Sequence, residues 1–263
     1  MEIIGYVASI FIGLVLGLVG GGGSILTVPV LVYLFKINAQ LATTYSLFII
    51  GITAIVGVYG NYKSKNLHFK SALIFAIPSV FSLLLIRKLI LPEIPNSFLF
   101  LNQFTVLKNS LILVIFAILM LSSAAFMIRK SNVSKQFPLK SNKYKLAIIG
   151  FLVGILIGFL GAGGGFIIIP ALLFFANLDM KQTIGTSLLI IAINSSIGFS
   201  SDIIDGVAVD FVFLTKIATL SIAGMVVGTT LSRKIDGKVL KPVFGWFVLC
   251  MGLYIIGKEI LFW

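Results

Sequence analysis

A glycine-rich stretch that occurs twice constrains this chain more than any other feature. Residues 13–31 read GLVLGLVGGGGSILTVPVL, and residues 154–172, which lie 141 positions later, read GILIGFLGAGGGFIIIPAL. Each glycine run is followed at the same distance by a proline, Pro29 or Pro170. Glycine frees the backbone and weakens a helix, whereas a chain in lipid must satisfy its own backbone hydrogen bonds. The duplication therefore predicts two related helix breaks, each surrounded by protein or by a water-filled cavity.

The same glycines have a simpler interpretation. Gly13 and Gly17 are spaced as in a GxxxG segment, where small residues let two membrane helices pack closely. That interpretation stays open for these two positions. It accounts less well for the run of small residues from Gly20 to Gly23, because a helix interface does not need four of them in succession.

The hydropathy of the chain places the breaks in a membrane protein. Of its 263 residues, 59% are hydrophobic and 11% are charged, and the mean hydropathy is +1.16. The net charge of +12 does not indicate nucleic-acid binding, because the basic residues lie in short loops between apolar runs. We therefore expect an all-α polytopic protein in a cell membrane, as in a bacterial inner membrane, with the lipid bilayer as its partner and no nucleic acid.

The apolar runs predict about eight full-length segments and two short ones. The short ones, 24–35 and 165–177, directly follow the glycine runs, and a full span needs about 20 residues. Each is therefore expected to be a broken or re-entrant helix. The polar linker 129–145 divides the chain into a first repeat, 1–128, and a second repeat, 146–263. The full-length segments are 3–20, 41–62, 71–91, 109–128, 146–162, 182–201, 211–231 and 243–262.

The charges of matched loops predict that the two repeats are inverted. The loop 63–70 is basic, whereas its counterpart 202–210 carries three aspartates. With the basic loop and a cytoplasmic linker inside, and five passes per repeat, the acidic loop lies outside. The simpler count of eight spans is the alternative, and it places the basic loop 233–241 outside. Arg87 fits the inverted arrangement poorly, because it falls on the outer side.

The breaks predict a site for a small anion. Essentially no charged residue is expected in the membrane interior, so the site would use backbone N–H groups, helix N-termini and hydroxyls. A helix that restarts at Ser24 or Gly165 would point such groups at the break. Polar residues at matched places, Ser46 with Ser187 and Thr53 with Asn194, would complete it; alternatively their side chains bond the carbonyl one turn earlier. The predicted substrate-binding residues are Gly20, Gly22, Gly23, Ser24, Gly161, Gly163, Gly164, Gly165, Ser46, Ser187, Thr53 and Asn194.

No pattern indicates an enzyme, a metal site or a cofactor. The chain has one histidine, His68, in a basic loop, and one cysteine, Cys250, in an apolar run. We expect His68 to be solvated. Asp202, Asp205 and Asp210 are interpreted as a solvated outer loop, with Asp202 as the best candidate if there is a proton relay.

At the double glycine motif the chain resembles the sulfite exporter TauE/SafE family. The resemblance rests on Gly20, Gly22, Gly23 and Pro29, on the matched Gly161, Gly163, Gly164 and Pro170, and on the two halves with their linker. It implies a secondary transporter of small sulfur-containing anions such as sulfite, sulfonates or related organosulfur acids. Alternating access between the two repeats is then expected. A proton or sodium ion as coupling ion and a homo-oligomer stay open. The alternatives are an anion channel and a non-transport membrane assembly protein.

Overall fold

The chain forms ten α-helices within the residues that the computed structural model describes, which are 2–91, 93, 97–100, 104–128, 143–161, 163–235 and 237–261. Eight helices are long and two, α2 and α7, are short, as the apolar runs predict. The first half holds α1 (Glu2–Val19), α2 (Ser24–Tyr33), α3 (Ala39–Lys63), α4 (Phe69–Leu85) and α5 (Lys108–Ile128). The second half holds α6 (Lys143–Leu160), α7 (Gly165–Ala171), α8 (Met180–Ile204), α9 (Phe211–Lys234) and α10 (Gly237–Leu261).

Two helices end in a widened turn. The last turn of α4 continues as a π-helix, Ile86–Ile90, and that of α7 as a π-helix, Leu172–Ala176. The long connection between α4 and α5 carries a short antiparallel hairpin, β1 (Ser97–Phe100) with β2 (Phe104–Leu107). Of the predicted linker 129–145, residues 129–142 lie outside the described residues, and Lys143 already begins α6.

The molecule is apolar on its outer surface, as a multi-pass membrane protein must be. Five of the described helices are long and apolar enough to cross a bilayer. Large hydrophobic side chains such as Ile77 and Phe81 face outward, whereas Phe75 on the same helix is fully buried. Helices α3 and α8 form the centre, because their apolar stretches are 67% and 56% buried, against 39–44% for the other three. The five are Ala39–Lys63, Phe69–Ile90, Lys143–Leu160, Met180–Ile204 and Phe211–Ser232.

Helix α2 turns back along α1 as the short segment predicts. At its start, a Cβ on Gly23 would overlap the backbone of Ile12 and lie 2.6 Å from the amide nitrogen of Leu16. At its end, the ring of Phe35 lies 5.5 Å from that of Tyr6 near the beginning of α1. The two helices therefore form a hairpin with the first glycine run at its tip.

Helices α3 and α8, which occupy matched positions in the two halves, run antiparallel. Thr44 at the start of α3 donates to Asp202 near the end of α8. At the opposite end of the pair, the carbonyl of Asn66, just beyond α3, packs on Gly185 near the start of α8. We call the end with Asp202 the acidic end and the end with loop 63–70 the basic end.

Each half contributes one helix that packs closely on the other half. Helix α1 runs beside α9, with Gly13 against the backbone of Ser221. Helix α6 runs beside α4, with Gly154 against the backbone of Ser79. A Cβ at either glycine would overlap the neighbouring backbone, so the small-residue interpretation of Gly13 is confirmed alongside the helix break.

Candidate functional site

The two glycine runs break the helices as the sequence predicts. Gly20 ends α1 with φ +83°, and the second run uses left-handed backbone at three of its glycines, a conformation that other residues rarely adopt. Helix α2 restarts at Ser24 after a 3₁₀ turn, Gly21–Gly23, and α7 restarts at Gly165. The left-handed glycines of the second run are Gly161 (φ +60°), Gly163 (φ +63°) and Gly164 (φ +67°).

The tips of the two breaks touch each other. A Cβ built on Gly21 would overlap the backbone of Gly165, and a Cβ on Gly165 would overlap that of Gly21. The first turn of α7 therefore begins directly against the 3₁₀ turn that precedes α2. The N-terminal ends of α2 and α7 therefore meet here, and neither first turn carries an acidic side chain.

Each break also rests on the central helix of the other half. A Cβ at Gly20 would lie 2.7 Å from Ser187 Oγ of α8 and 3.1 Å from Ile184 Cα. The second break packs in the same way on α3, where a Cβ at Gly161 would overlap Thr43. Positions 43 and 184 are matched in the two halves, so the two breaks pack on equivalent positions of the central helices.

The predicted hydroxyl of Ser46 and the hydroxyl of Ser195 are buried without a hydrogen-bond partner, and Ser195 lies beside the second break. Ser46 on α3 and Ser195 on α8 are both fully buried, and neither Oγ has a partner. Ser195 Oγ would lie 3.4 Å from a Cβ on Gly163. A buried polar atom without a partner is costly, so these hydroxyls are available to a ligand.

The remaining predicted polar residues are engaged within the protein. Ser187 and Thr53 donate to the carbonyls of Ile184 (2.9 Å) and Ile49 (2.6 Å), which is the alternative that the sequence left open. Asn194 donates to Ser79 Oγ at 2.8 Å, while its Oδ1 has no partner. Ser24 Oγ donates at 2.6 Å to the carbonyl of Gly21 and so fixes the turn at the first break.

The expectation of an interior without charges is wrong at the acidic end. Arg87 and Asp202 are only 5% and 6% exposed, and they form an ion pair. Asp202 also accepts from Thr44 Oγ1 at 2.6 Å, and Arg87 Nη2 donates to Thr43 Oγ1 at 3.2 Å. The interpretation of Asp202 as part of a solvated loop is therefore wrong, because its carboxylate is buried against a guanidinium 115 residues away.

The other two aspartates do lie at the surface. Asp205 is within 3.6 Å of Lys88, and both side chains are nearly half exposed. Asp210 caps α9 by accepting from the backbone N–H of Phe213 at 3.0 Å. Similarly, His68 caps α4 by accepting from the backbone N–H of Ser71 at 3.3 Å.

A polar cleft of about 280 Å³ opens at the basic end. Ile184 lines it and also contacts the first break, so the cleft leads toward the glycines. Among the described lining residues, only Lys181 is charged. The cleft is lined by Gly17, Asn61, Ser64, Asn66, Lys181, Ile184, Thr229 and Ser232.

Comparison with known proteins identifies the family. The family described as Sulfite exporter TauE/SafE matches residues 6–255. The chain belongs to this family. Its members are membrane transporters and not enzymes, and the chain is accordingly a multi-pass integral membrane protein.

Curated relatives agree over nearly their full length. A "Probable membrane transporter protein" of Xylella fastidiosa (strain Temecula1) is 27% identical over 94% of this chain and 92% of its own length. "Probable membrane transporter protein YjnA" of Bacillus subtilis is 27% identical over 94% and 96%. A probable membrane transporter protein of Methanocaldococcus jannaschii is 24% identical over 94% of each chain. No solved structure gives a significant match.

Arg87 is a buried charged residue that the sequence analysis did not place in the interior. It lies at the end of the apolar run 71–91, and the count of membrane passes placed it on the outer side. The available signal was that an ionisable residue joined to an apolar helix usually pairs with another one in the protein interior. Asp202, at the end of another apolar run, was the matching candidate.

Proposed function

We propose that the chain is a secondary transporter of a small anion of the sulfur-containing class, which includes sulfite, sulfonates and related organosulfur acids. The observation that carries this proposal is the direct contact of the two glycine breaks, Gly21 against Gly165, at the restart of two helices. Helix N-termini attract anions through free N–H groups and the helix dipole. Such a site binds an oxyanion and also releases it, because no fixed charge lies in the breaks themselves.

The helix directions support alternating access between two inverted repeats. The matched helices α3 and α8 run antiparallel, and α1 beside α9 mirrors α6 beside α4. In transporters of this kind the two repeats rock around a central site. At the acidic end Arg87 and Asp202 are buried as an ion pair, whereas the basic end holds a cleft, and this difference supports access from one side at a time. This favours a transporter over an open channel.

The remaining assignments follow from the same arrangement and are part of the proposal. The basic end, the linker 129–145 and the loop 233–241 lie in the cytoplasm. Residues 1–128 and 146–263 are the two repeats. The sulfur-containing class follows from the family, since the site itself selects for charge and size. A proton is the favoured coupling ion, for reasons given below.

Uptake by reconstituted protein tests the proposal. Proteoliposomes should accumulate labelled sulfite, sulfate or taurine with saturable kinetics, and unlabelled anion on the opposite side should accelerate exchange. Flux that rises linearly with concentration and shows no exchange would identify a channel. Absence of flux for all three anions, with folded protein, would remove sulfur anions as substrates.

A glycine variant tests whether the breaks are the site. Gly163→Leu should lower the saturable flux by about 100-fold or more, because the side chain must displace Ile50, Ile191 and Ser195 at the breaks. Gly206→Leu is a matched control. Gly206 is also left-handed, at φ +84°, so both variants carry a similar backbone strain, but nothing lies within 4 Å of a Cβ at Gly206. Equal flux in the two variants would contradict the assignment of the site.

A further inference from the structure

We propose that Arg87 is the cation that holds the transported anion at the acidic end, and that Asp202 is the resident counter-ion which the anion replaces while Asp202 takes up a proton. This inference rests on the proposed function. It adds a fixed charge to a site that was otherwise built from backbone and hydroxyl groups, and it names the coupling ion.

The guanidinium of Arg87 is buried but only partly satisfied. One Nη is paired with Asp202, the other donates to Thr43 Oγ1 at 3.2 Å, and Nε has no partner. Arginine offers five donors in a planar fork, and two adjacent donors match the spacing of two oxygens on an oxyanion. An unpartnered donor on a side chain that is only 5% exposed is therefore a place for a ligand oxygen.

Arg87 lies close to the second glycine break. Its hydrogen-bond partner Thr43 is the residue on which Gly161 packs. The preceding residue, Ile86, packs on Gly158 of α6, one turn before the break. Arg87 also lies in the π-helical turn Ile86–Ile90, and such widened turns occur often at functional sites. Thr43 therefore connects Arg87 directly to the second glycine break.

Electrostatics explains why Asp202 must be there and why an anion can replace it. A buried guanidinium without a counter-ion is unfavourable, so the empty transporter needs the carboxylate. An incoming oxyanion supplies the same charge to the same donors. The released carboxylate of Asp202 would then be buried without a cation, and it becomes neutral by binding one proton from water at the acidic end. One anion and one proton enter together, so a monoanion carries no net charge across.

The neighbouring groups on α3, α4, α6 and α8 are either uncharged or paired with each other, so the exchange involves Arg87 and Asp202. Helix α3 contributes the hydroxyls of Thr43 and Thr44, and α6 contributes Gly158 beside Ile86. The other charged groups on α4 and α8 nearby are Lys88 and Asp205, which pair with each other at 3.6 Å and are nearly half exposed. Ser201, which is uncharged, donates to Asp205 at 3.4 Å.

The two halves differ at this place. By the offset of 141, the residue matched to Asp202 is Asn61, which lines the open cleft at the basic end. Asn61 is an amide and donates to the carbonyl of Gly57 at 3.0 Å. At this matched position only the second half has a carboxylate, so the pair is not a feature that both repeats need for folding.

Equilibrium binding of labelled sulfite, sulfate and taurine to purified protein tests the inference. Asp202→Asn removes the competing carboxylate but keeps an oxygen that can accept from Thr44, so the transported anion should bind at least about tenfold more tightly at neutral pH.

Two further variants separate binding from structure. Arg87→Gln/Asp202→Asn removes both charges of the buried pair and should fold, yet its affinity should fall by about tenfold or more because the cation is missing. Lys88→Gln/Asp205→Asn removes the exposed pair next to the site and should bind like wild type. If the ion pair is purely structural, Asp202→Asn should bind the anion only as tightly as the wild type, or less tightly.

Proton movement provides a test in the wild-type protein alone. Uptake of taurine or sulfate should acidify the lumen of proteoliposomes, as reported by a trapped pH dye, with one proton for each anion. Anion uptake without acidification would overturn the inference, as would Asp202→Asn binding no more tightly than wild type. The proposed function would survive both results. Only the lack of saturable flux and binding in the wild type would remove the proposed function, and the inference with it.

Discussion

The two ends of the molecule are built from matched helices but close differently. At the acidic end, α4 and α8 meet through Arg87 and Asp202, which are almost fully buried. At the basic end, the matched region of α3 and α9 leaves a cleft of about 280 Å³ that is lined mainly by amides and hydroxyls, with Lys181 as its charged residue among those described. The backbone arrangement is therefore shared, and the two ends differ in the charge that they bury.

This difference shows how a duplicated scaffold can acquire a direction. A buried ion pair that is satisfied by hydroxyls holds its helices together, whereas a set of neutral polar groups admits water at little cost. The two ends thus respond differently to the same ligand charge. In the proposed mechanism an anion competes with Asp202 at the acidic end, whereas the described lining of the cleft at the basic end offers neutral groups and Lys181.

Removing Arg87 from the acidic end should have the largest effect. Arg87→Gln leaves the buried carboxylate of Asp202 unpaired and should lower the free energy of unfolding by about 3–5 kcal/mol. Thermal unfolding in detergent, or steric trapping in bicelles, measures this. Arg87→Gln/Asp202→Asn should recover most of the loss. Lys88→Gln, in the exposed pair, should cost at most about 1 kcal/mol, and a loss equal to that of Arg87→Gln would contradict the distinction between the pairs.

Placing a carboxylate in the cleft of the basic end should reduce the difference in charge between the two ends. Asn61→Asp places a negative charge in the cleft at the position matched to Asp202. Repulsion of about 1–1.5 kcal/mol should lower anion flux from the basic end by about tenfold. The loss should shrink in high salt. Initial rates in proteoliposomes of known orientation measure it, with Asn61→Gln as the neutral control; an equal loss in that control would point to shape and not to charge.

Neutralising Lys181 in the cleft of the basic end should have the smallest effect. Lys181 is exposed, so its charge is screened, and Lys181→Gln should raise the KM for anion from the basic end by about two- to threefold without changing kcat. Lys65→Gln, in the neighbouring basic loop, is a control for general surface charge. The same rise in KM for both variants would show that Lys181 has no particular role in the cleft.

The breaks and the helices could be predicted from the sequence because their causes are local. A glycine run in an apolar segment permits left-handed backbone wherever it lies, and Gly20 and Gly163 adopt it. Likewise, the restart at Ser24 needs no distant contact. The length of an apolar run bounds the helix directly. These features need no knowledge of what the segment packs against.

The ion pair could not be predicted in the same way because its cause is distant. Arg87 and Asp202 lie in different halves, and each alone has the appearance of a charged helix end. Thr53 and Ser46 illustrate the same limit. Both are buried hydroxyls on α3, yet one bonds a carbonyl on its own helix and the other has no partner. Which of them is available depends on the neighbouring helix, and the sequence of α3 does not contain that information.

The pairing of α1 with α9 has a consequence for how the protein is made. Ser221 donates to the carbonyl of Ser9, 212 residues earlier in the chain. A ribosome that adds about 5–20 residues per second needs roughly 10–40 s to make the intervening chain. During that time Gly13 and Gly17, which pack on α9 in the complete protein, lack this partner helix. The first half therefore reaches the membrane without its packing partner, and assembly of the transporter waits until α9 has been made.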